Sequence, residues 1–293
     1  MQETHFTRRQ FVKHSLAAAT ILGLAPSPWA LAASKKLPVA LQLYSVRDFC
    51  QKDFDGTLAE VAKLGFDGVE FAGYYKYDAK NGAEKAAELK KKLDDLNLKV
   101  AATHIGTGNF RGDALKRAIE YHQTIGCKFL VVPGDGDFTH PEKSKALAET
   151  FNQTAAVLKP LGMACGYHNH TSEFKKDGDK TYWDLFAERT TKDVILQQDC
   201  GWTAAAGLDP VEMMKRYPGR MRSTHFKPTI VGNDSTKKAI LGLDSVDWAK
   251  VLQGCIEYGG TEWVTLEQET YPDGKSSMEC SALSFAALKK LML

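Results

Sequence analysis

From Leu37 onward, the sequence alternates eight times between a short β-rich run and a longer stretch with helical periodicity. The predicted strands are Val39–Ser45, Gly68–Ala72, Lys99–His104, Lys128–Pro133, Met163–His168, Val194–Asp199, Met221–Phe226 and Glu262–Glu267. Alternating β and α segments imply a parallel sheet, because parallel neighbours need a long crossover connection. Eight such units are what a closed barrel requires. The sequence therefore predicts an α/β protein with a single (β/α)8 TIM barrel.

Between the strand candidates, apolar residues recur every three to four positions, which is typical of helices packed on a sheet. Examples of the predicted helical segments are Thr57–Leu64, Ala83–Leu96, Ala114–Ile125, Lys143–Leu158, Pro210–Tyr217 and Val246–Tyr258, and the chain closes with Ser281–Leu291. Glycines such as Gly65 and Gly126 follow helices, where they supply a left-handed cap. The alternative is an open, doubly wound sheet. That fold would place a glycine-rich phosphate turn after the first strand, and residues 46–49 contain no glycine.

The N-terminal residues have a different character. Arg8 and Arg9 precede an apolar stretch, Leu16–Ala25, and small residues follow at Ala30 and Ala32. This order is typical of a secretory signal, and the paired arginines resemble the twin-arginine export signal. We expect residues 1–33 to be cleaved and residues 37–293 to form the barrel domain of a periplasmic or secreted protein. A frayed basic tail and a short membrane anchor are the alternatives.

Charge and apolar content restrict the partners. Removing residues 1–32 takes away three basic residues and one acidic residue, which leaves 35 of each sign. A neutral chain gives no electrostatic case for nucleic acid. No run approaches the roughly 20 apolar residues of a membrane-spanning helix. We therefore expect a small-molecule partner, no stable membrane insertion and only transient contact with the twin-arginine machinery, and we leave a homo-oligomer open.

Residues that could bind a metal end six of the predicted strands: Glu70, His104, His168, Asp199, His225 and Glu267. In a barrel, the carboxyl ends of the strands converge on one mouth, where catalytic groups are placed. A lone member of this set would be read as a hydrogen-bonded structural residue or a helix cap. Six at equivalent places favour a shared site. Imidazoles combined with carboxylates suit Mn, Zn, Fe or Co better than Ca or Mg.

Several short motifs extend this pattern over the whole chain after the N-terminal segment. They are Gln42–Asp48, Tyr167–His170, Asp199–Trp202, His225–Lys227 and Glu267–Gln268. In this order they resemble the sugar phosphate isomerase/epimerase family of the xylose isomerase-like TIM-barrel superfamily. The resemblance implies one divalent ion, with Mn favoured and Zn, Co or Fe as alternatives. The implied ligands are His168, Asp199, His225 and Glu267.

The fifth strand departs from the family pattern. Many relatives carry Glu where His168 stands, and epimerases of the superfamily use two glutamates, one on each face of the sugar carbon. This chain keeps only Glu267 of that pair, which favours a one-sided reaction. His170 lies two residues after His168 and is the alternative ligand on this strand.

The resulting hypothesis is an isomerase or epimerase that abstracts a proton next to a carbonyl of a keto-sugar, through a metal-stabilised enediolate. We predict that Glu267 is the general base and that His104 and Lys227 assist catalysis. The predicted substrate-binding residues are Tyr44, Glu70, His170, Glu173 and Trp202. A 3-keto-glycoside lyase or dehydratase acting by β-elimination on the same site is the alternative. A metal-dependent endonuclease and a non-catalytic sugar-binding protein are weaker alternatives.

Overall fold

The computed structural model describes residues 36–73 and 82–293, and Leu37–Leu293 forms one compact unit. The predicted signal segment, residues 1–33, lies outside the described residues. The barrel strands are β1 (Val39–Gln42), β2 (Gly68–Ala72), β3 (Lys99–His104), β4 (Phe129–Val132), β5 (Ala164–His168), β6 (Ile195–Asp199), β7 (Ser223–Phe226) and β8 (Trp263–Leu266). All eight strands are parallel, and β8 pairs with β1 to close the barrel. The predicted barrel is confirmed.

Helices alternate with the strands along the chain. They are α1 (Arg47–Lys52), α2 (Phe54–Leu64), α3 (Gly82–Asp95), α4 (Gly112–Ile125), α5 (Lys143–Leu158), α6 (Tyr182–Arg189), α7 (Cys200–Ala205), α8 (Pro210–Arg216), α9 (Trp248–Gly254) and α10 (Ser277–Leu291). The seven predicted helices are present. The structure also contains α1, α6 and α7, whose bounds were not predicted and which have eight residues or fewer each. Such short helices show too few turns for an apolar period to stand out.

The first strand is shorter than predicted. It ends at Gln42 rather than Ser45, and a 3₁₀ turn over Leu43–Val46 follows. The turn begins there because the side-chain oxygen of Gln42 accepts a hydrogen bond from the backbone N–H of Tyr44 at 3.1 Å. This hydrogen bond turns the chain out of the sheet at the carboxyl end of β1. Tyr44 is left 43% exposed as a result.

The interior of the barrel changes character along its axis. A small apolar cluster fills one level, built from Ala102, Phe129, Val131, Ala164 and Ile195. Side chains two residues further along a strand point to the same face. On β3, β5 and β6, those next inward positions are occupied by polar side chains or glycine. Barrel interiors are normally filled by branched apolar residues, so a buried polar layer toward the carboxyl ends needs a chemical reason.

Two further findings concern the rest of the described chain. All six cysteines are buried and free, which is typical of cysteines that pack as small apolar residues. Within residues 36–73 and 82–293, no helix combines the length and the apolar character needed to cross a membrane.

Candidate functional site

The carboxyl ends of β5 to β8 bring four of the predicted residues together. His168, Asp199, His225 and Glu267 each offer one ligand atom, and these atoms all lie within 4.8 Å of one another. The strand register produces this proximity, since Asp199 on β6 pairs with His225 on β7. Each of the four side chains is buried, with at most 5% of its residue surface exposed.

Asp199 divides its two carboxylate oxygens between the fold and the site. Oδ1 accepts a hydrogen bond from the backbone N–H of Trp202 at 2.8 Å and so caps the N-terminus of α7. Oδ2 is buried and has no hydrogen-bond partner in the described part of the chain. Burial raises the pKa of Asp199 to about 7. A buried carboxylate oxygen without a partner is costly, which marks Oδ2 as a position for a cation.

The Nε2 atom of His168 faces Oδ2 of Asp199 with its lone pair. Its Nδ1 lies 3.1 Å from Oε1 of Gln197, which can only accept, so Nδ1 carries the proton and Nε2 does not. Burial and the nearby rings of His225 and His104 lower the pKa of His168 well below its ordinary value, which keeps the ring neutral. Nε2 of His168 lies 3.9 Å from Oδ2 of Asp199. One ion with bonds of about 2.0–2.2 Å to each atom spans that separation.

His225 lies between two carboxylates. Its Nε2 is 2.9 Å from Oε1 of Glu70, and its Nδ1 is 2.8 Å from Oε2 of Glu267. Burial disfavours the charged ring, but the two carboxylates outweigh this effect and raise the pKa of His225 to about 10. Burial likewise opposes ionisation of Glu267, yet Lys227 and His225 lower the pKa of Glu267 below its usual range. Where no metal is bound, a proton on Nδ1 therefore bridges His225 to Glu267.

These four residues fit a divalent transition metal. Two imidazoles and two carboxylates form a mixed nitrogen and oxygen donor set, which suits Mn, Fe, Co or Zn. The orphaned Oδ2 of Asp199 and the unprotonated Nε2 of His168 are donor atoms that a cation would satisfy. A second group, His104, His168 and His225, also brings ligand atoms within 4.8 Å of one another. Both groups share His168 and His225, whereas His170 belongs to neither.

A cavity of about 420 Å³ opens above the cluster. Its size lies in the range of about 300–1,000 Å³ that is common for small-molecule sites. The described residues that line it include Tyr44, His104, His168, His170, Glu267 and Glu269. Tyr44 stands at the rim, where the guanidinium of Arg47 lies 4.3 Å from its ring centre. Three of the predicted substrate and catalytic residues, Tyr44, His104 and His170, thus face one space with Glu267.

Lys227 lies beside Glu267 and, like Trp202, is outside the set of residues that line the cavity. Its Nζ is 3.8 Å from Oε2 of Glu267, contacts Oε2 of Glu269 and lies 4.7 Å from the ring centre of Trp202. Only 5% of the residue is exposed. The ring of Trp202 also lies 5.6 Å from that of His170. Lys227, Trp202 and His170 are therefore neighbours near the carboxylates that follow β8, and His170 is the one of the three that lines the cavity.

Two of the predicted substrate-binding residues, Glu70 and Glu173, are bonded to other protein groups in the structure. Glu70 is fully buried, and both of its oxygens accept hydrogen bonds from protein groups, so neither is left for a substrate hydroxyl. Glu173 is 4% exposed, and its Oε2 accepts from the backbone N–H of His170 at 2.8 Å and the hydroxyl of Ser172 at 3.0 Å. Glu173 holds the loop that carries His170. Position near a strand end identified the right region but not the direction in which each side chain points.

Three residues of the site were not predicted. Gln197 connects His104, His168 and Glu70, Gln42 donates to Glu70 at 3.0 Å, and Glu269 lines the cavity. A signal for two of them exists in the sequence. Gln197 lies two residues before Asp199, and Glu269 lies two residues after Glu267, so the strand period places each on the inner face.

Comparisons with known proteins agree with this architecture. The family model described as Xylose isomerase-like TIM barrel matches residues 58–288. Inosose dehydratase of Geobacillus kaustophilus is 23% identical over 257 residues, which covers 74% of this chain and 80% of that protein. Inosose dehydratase of Clostridium botulinum is 23% identical over 266 residues, which covers 78% and 86%.

Among solved structures, a sugar phosphate isomerase/epimerase from Parabacteroides distasonis superposes with a TM-score of 0.72. The two chains are 24% identical, and the match covers 88% of this chain and 97% of that one. At this level of identity the likeness concerns the fold.

Proposed function

Because the chain belongs to the xylose isomerase-like TIM barrel family, we propose that it is a divalent-metal-dependent lyase. Its substrate would be a keto-sugar or a related cyclic polyol ketone, and the reaction a β-elimination next to the carbonyl. The observation that carries this proposal is the one-sided placement of carboxylates. Among the described residues that line the cavity, the carboxylates are Glu267 and Glu269, both from the end of β8, and the imidazoles of His104, His168 and His170 complete the polar lining.

Elimination matches this asymmetry because it needs one base and one acid, not two equivalent bases. Glu267 would take the proton from the carbon next to the carbonyl, since its lowered pKa keeps it ionised. The electron pair left on carbon forms the new C=C bond as the β-oxygen departs. That oxygen would receive a proton from His170, which lines the cavity, or from Lys227, whose Nζ lies 3.8 Å from Oε2 of Glu267. A bound divalent ion would supply Lewis-acid polarisation of the carbonyl.

The named relatives support the same class of reaction. The two curated proteins above are called dehydratases, and removing water from a hydroxylated ketone is a β-elimination. An endonuclease is disfavoured, because residues 33–293 carry 35 basic and 35 acidic residues and so give no electrostatic case for binding a phosphodiester backbone.

Isomerisation or epimerisation is the second candidate. It is favoured by a specific feature, the imidazole of His170 in the wall of the same cavity as Glu267. A neutral imidazole there would return a proton to a different atom or face of the sugar. Burial lowers the pKa of His170, which favours that neutral form.

The test is a product analysis in deuterated water. The Mn²⁺-loaded protein would be incubated with 3-keto-glycosides, keto-cyclitols and free ketoses, and the products followed by NMR. An unsaturated ketone with loss of the β-oxygen supports the lyase. Deuterium in an intact isomer or epimer supports the second candidate instead. No turnover and no exchange with the whole series would refute both.

A matched pair of variants assigns the base. Glu267→Gln keeps the size of the side chain and removes the base, so we expect turnover to fall by at least about 100-fold. Glu257→Gln changes an exposed helix residue that bonds only to Gln253 in the described chain, and it should retain full activity. Equal activity in both variants would exclude Glu267 as the base.

We also propose export by the twin-arginine route, on the basis of Arg8, Arg9 and the apolar stretch that follows them. Replacing both arginines with lysine preserves the charge but removes the paired signal. We expect the variant to accumulate in the cytoplasmic fraction while the parent chain appears outside it. Identical fractionation of the two would exclude this route.

A further inference from the structure

Beneath the candidate metal ligands, Glu70 and Gln197 form a buried polar pair that contacts three imidazoles. The carboxylate of Glu70 accepts from Nε2 of Gln197 at 3.2 and 3.1 Å. Both residues are 0% exposed. They come from β2 and β6, which are not neighbours in the barrel. The pair therefore crosses the barrel interior below the mouth.

The hydrogen bonds around this pair fix the direction of each donor. Nε2 of Gln197 also lies 2.9 Å from the hydroxyl of Ser223, and Oε2 of Glu70 accepts from the hydroxyl of Thr265 at 3.1 Å. Oε1 of Glu70 accepts from the amide of Gln42 at 3.0 Å. The amide group of Gln197 thus points toward the carboxylate, and its oxygen points toward the histidines.

Acceptors arranged in this way decide which ring nitrogen carries a proton. Oε1 of Gln197 lies 3.1 Å from Nδ1 of His168, and Oε1 of Glu70 lies 2.9 Å from Nε2 of His225. Each of these nitrogens must donate, because the oxygens it faces can only accept. The opposite nitrogens, Nε2 of His168 and Nδ1 of His225, face Asp199 and Glu267. The inner pair thus turns the two remaining nitrogens toward the ligand cluster.

We propose that Glu70 is a positioning residue for the metal centre, which together with Gln197 presents Nε2 of His168 and Nδ1 of His225 as ligand atoms. Outer-shell acceptors that fix a ligating histidine in this way commonly contribute 10- to 100-fold in metal affinity. The proposal rests on the proposed function only in requiring a divalent ion at this site. It assigns Glu70 no contact with substrate.

The experiment measures Mn²⁺ affinity of the full chain directly, by electron paramagnetic resonance of the unbound ion, without any substrate. Glu70→Gln keeps the shape of the side chain but replaces one acceptor oxygen with an amide N–H, which cannot accept a hydrogen bond from the groups around it. We expect this variant to bind Mn²⁺ about 10- to 100-fold more weakly. Gln197→Met removes the other member of the pair and should weaken binding in the same direction. Thr224→Val is the matched control, since it removes a buried hydroxyl from β7 that bonds to Met221 and Thr261. It should change the affinity less than about twofold.

A double-mutant cycle separates positioning from general loosening of the barrel. In a His225→Asn background, one imidazole that Glu70 orients is gone, so Glu70→Gln should produce a much smaller further loss of affinity. A loss of the same size in both backgrounds would overturn the proposal, and so would wild-type affinity in Glu70→Gln. If the wild-type chain binds no Mn²⁺, the proposed function fails together with this inference. If affinity behaves as expected but no elimination is found, only the proposed reaction fails.

Discussion

Asp199 uses its two carboxylate oxygens differently, because Oδ1 caps α7 and Oδ2 has no hydrogen-bond partner in the described chain. Asparagine would keep an oxygen at the capping position and remove the charge from the buried one. Where metal has been removed by chelation, we expect Asp199→Asn to be more stable than the wild type by about 1 kcal/mol, since an uncompensated buried charge is lost. Thermal unfolding in chelator checks this. A destabilised variant would show that Oδ2 is already satisfied.

His122 gives a pH dependence outside the site. It is buried in α4, where its Nδ1 lies 2.6 Å from the carbonyl oxygen of Ala118, and burial lowers the pKa of His122 to about 4. The unfolded chain, with a histidine pKa near 6.5, therefore binds this proton first as the pH falls. The contribution of His122 to stability is complete above about pH 6.5 and is lost as the pH falls toward 4. By pH 4 the loss amounts to about 3 kcal/mol.

The comparison that isolates this effect uses His122→Leu, which cannot titrate. Urea unfolding of both proteins at pH 7, 5.5 and 4.5 should show the wild type losing stability more steeply than the variant. Parallel pH profiles would mean that His122 does not titrate in this range. The variant's absolute stability at pH 7 does not enter the comparison.

For individual residues of the site, the sequence predicted their location better than their role. His168, Asp199, His225 and Glu267 were found together because strand ends share one mouth, a rule that depends only on topology. The roles of Glu70 and Glu173 depended on which side-chain atoms are already bonded. Those bonds come from Gln197, Thr265 and the loop at His170, and no spacing in the chain reveals such long-range partners.

Among the elements, α7 packs closely against the backbone that follows β7. A Cβ added at Gly201 would lie 2.2 Å from the carbonyl oxygen of Lys227 and 2.5 Å from Oγ1 of Thr229. We expect Gly201→Ala to cost about 1–3 kcal/mol of stability, because the backbone after β7 must move. Mn²⁺ binding should weaken as well, since His225 lies two residues before Lys227. Gly136→Ala, where a Cβ would meet no atom within 4 Å, is the control in the same denaturation and binding assays. Equal stability of the two variants would contradict this packing.

Elements were predicted well where their pattern is long and regular. The helix α5 was predicted from residue 143 to 158, which agrees with the structure, because four turns repeat the same apolar spacing. The eight-residue helix α6 falls where the predicted alternation requires a helix, but its bounds were not predicted. It begins with a capping box between Thr181 and Asp184, and Arg216 of α8 donates to Asp184 at 2.9 Å. Tertiary contacts of that kind are not encoded in a local period.

For the whole molecule, metal binding should couple to folding, because ligands from four strands meet only in the closed barrel. An ion at 100 times its dissociation constant stabilises the folded state by about 2.7 kcal/mol. For a domain of this size that corresponds to a rise in Tm of about 5–11 °C. Thermal unfolding in excess Mn²⁺ and in chelator measures the difference. The same Tm in both conditions would argue against a metal centre.

The strands β5–β8 carry the candidate ligands, and β2 and β3 carry residues that bond to them or to Gln197. This distribution has a consequence for fragments of the chain. All four candidate ligands lie after residue 160, whereas Glu70 and His104, which contact His225 and Gln197, lie before residue 110. Cutting the chain between α4 and β4 would leave all four candidate ligands on the C-terminal fragment. Glu70 and His104 would be on the N-terminal fragment. Each half alone should then be a poor chelator, and mixing the halves should restore tight binding. Uptake of the ion would thereby report reassembly of the two halves.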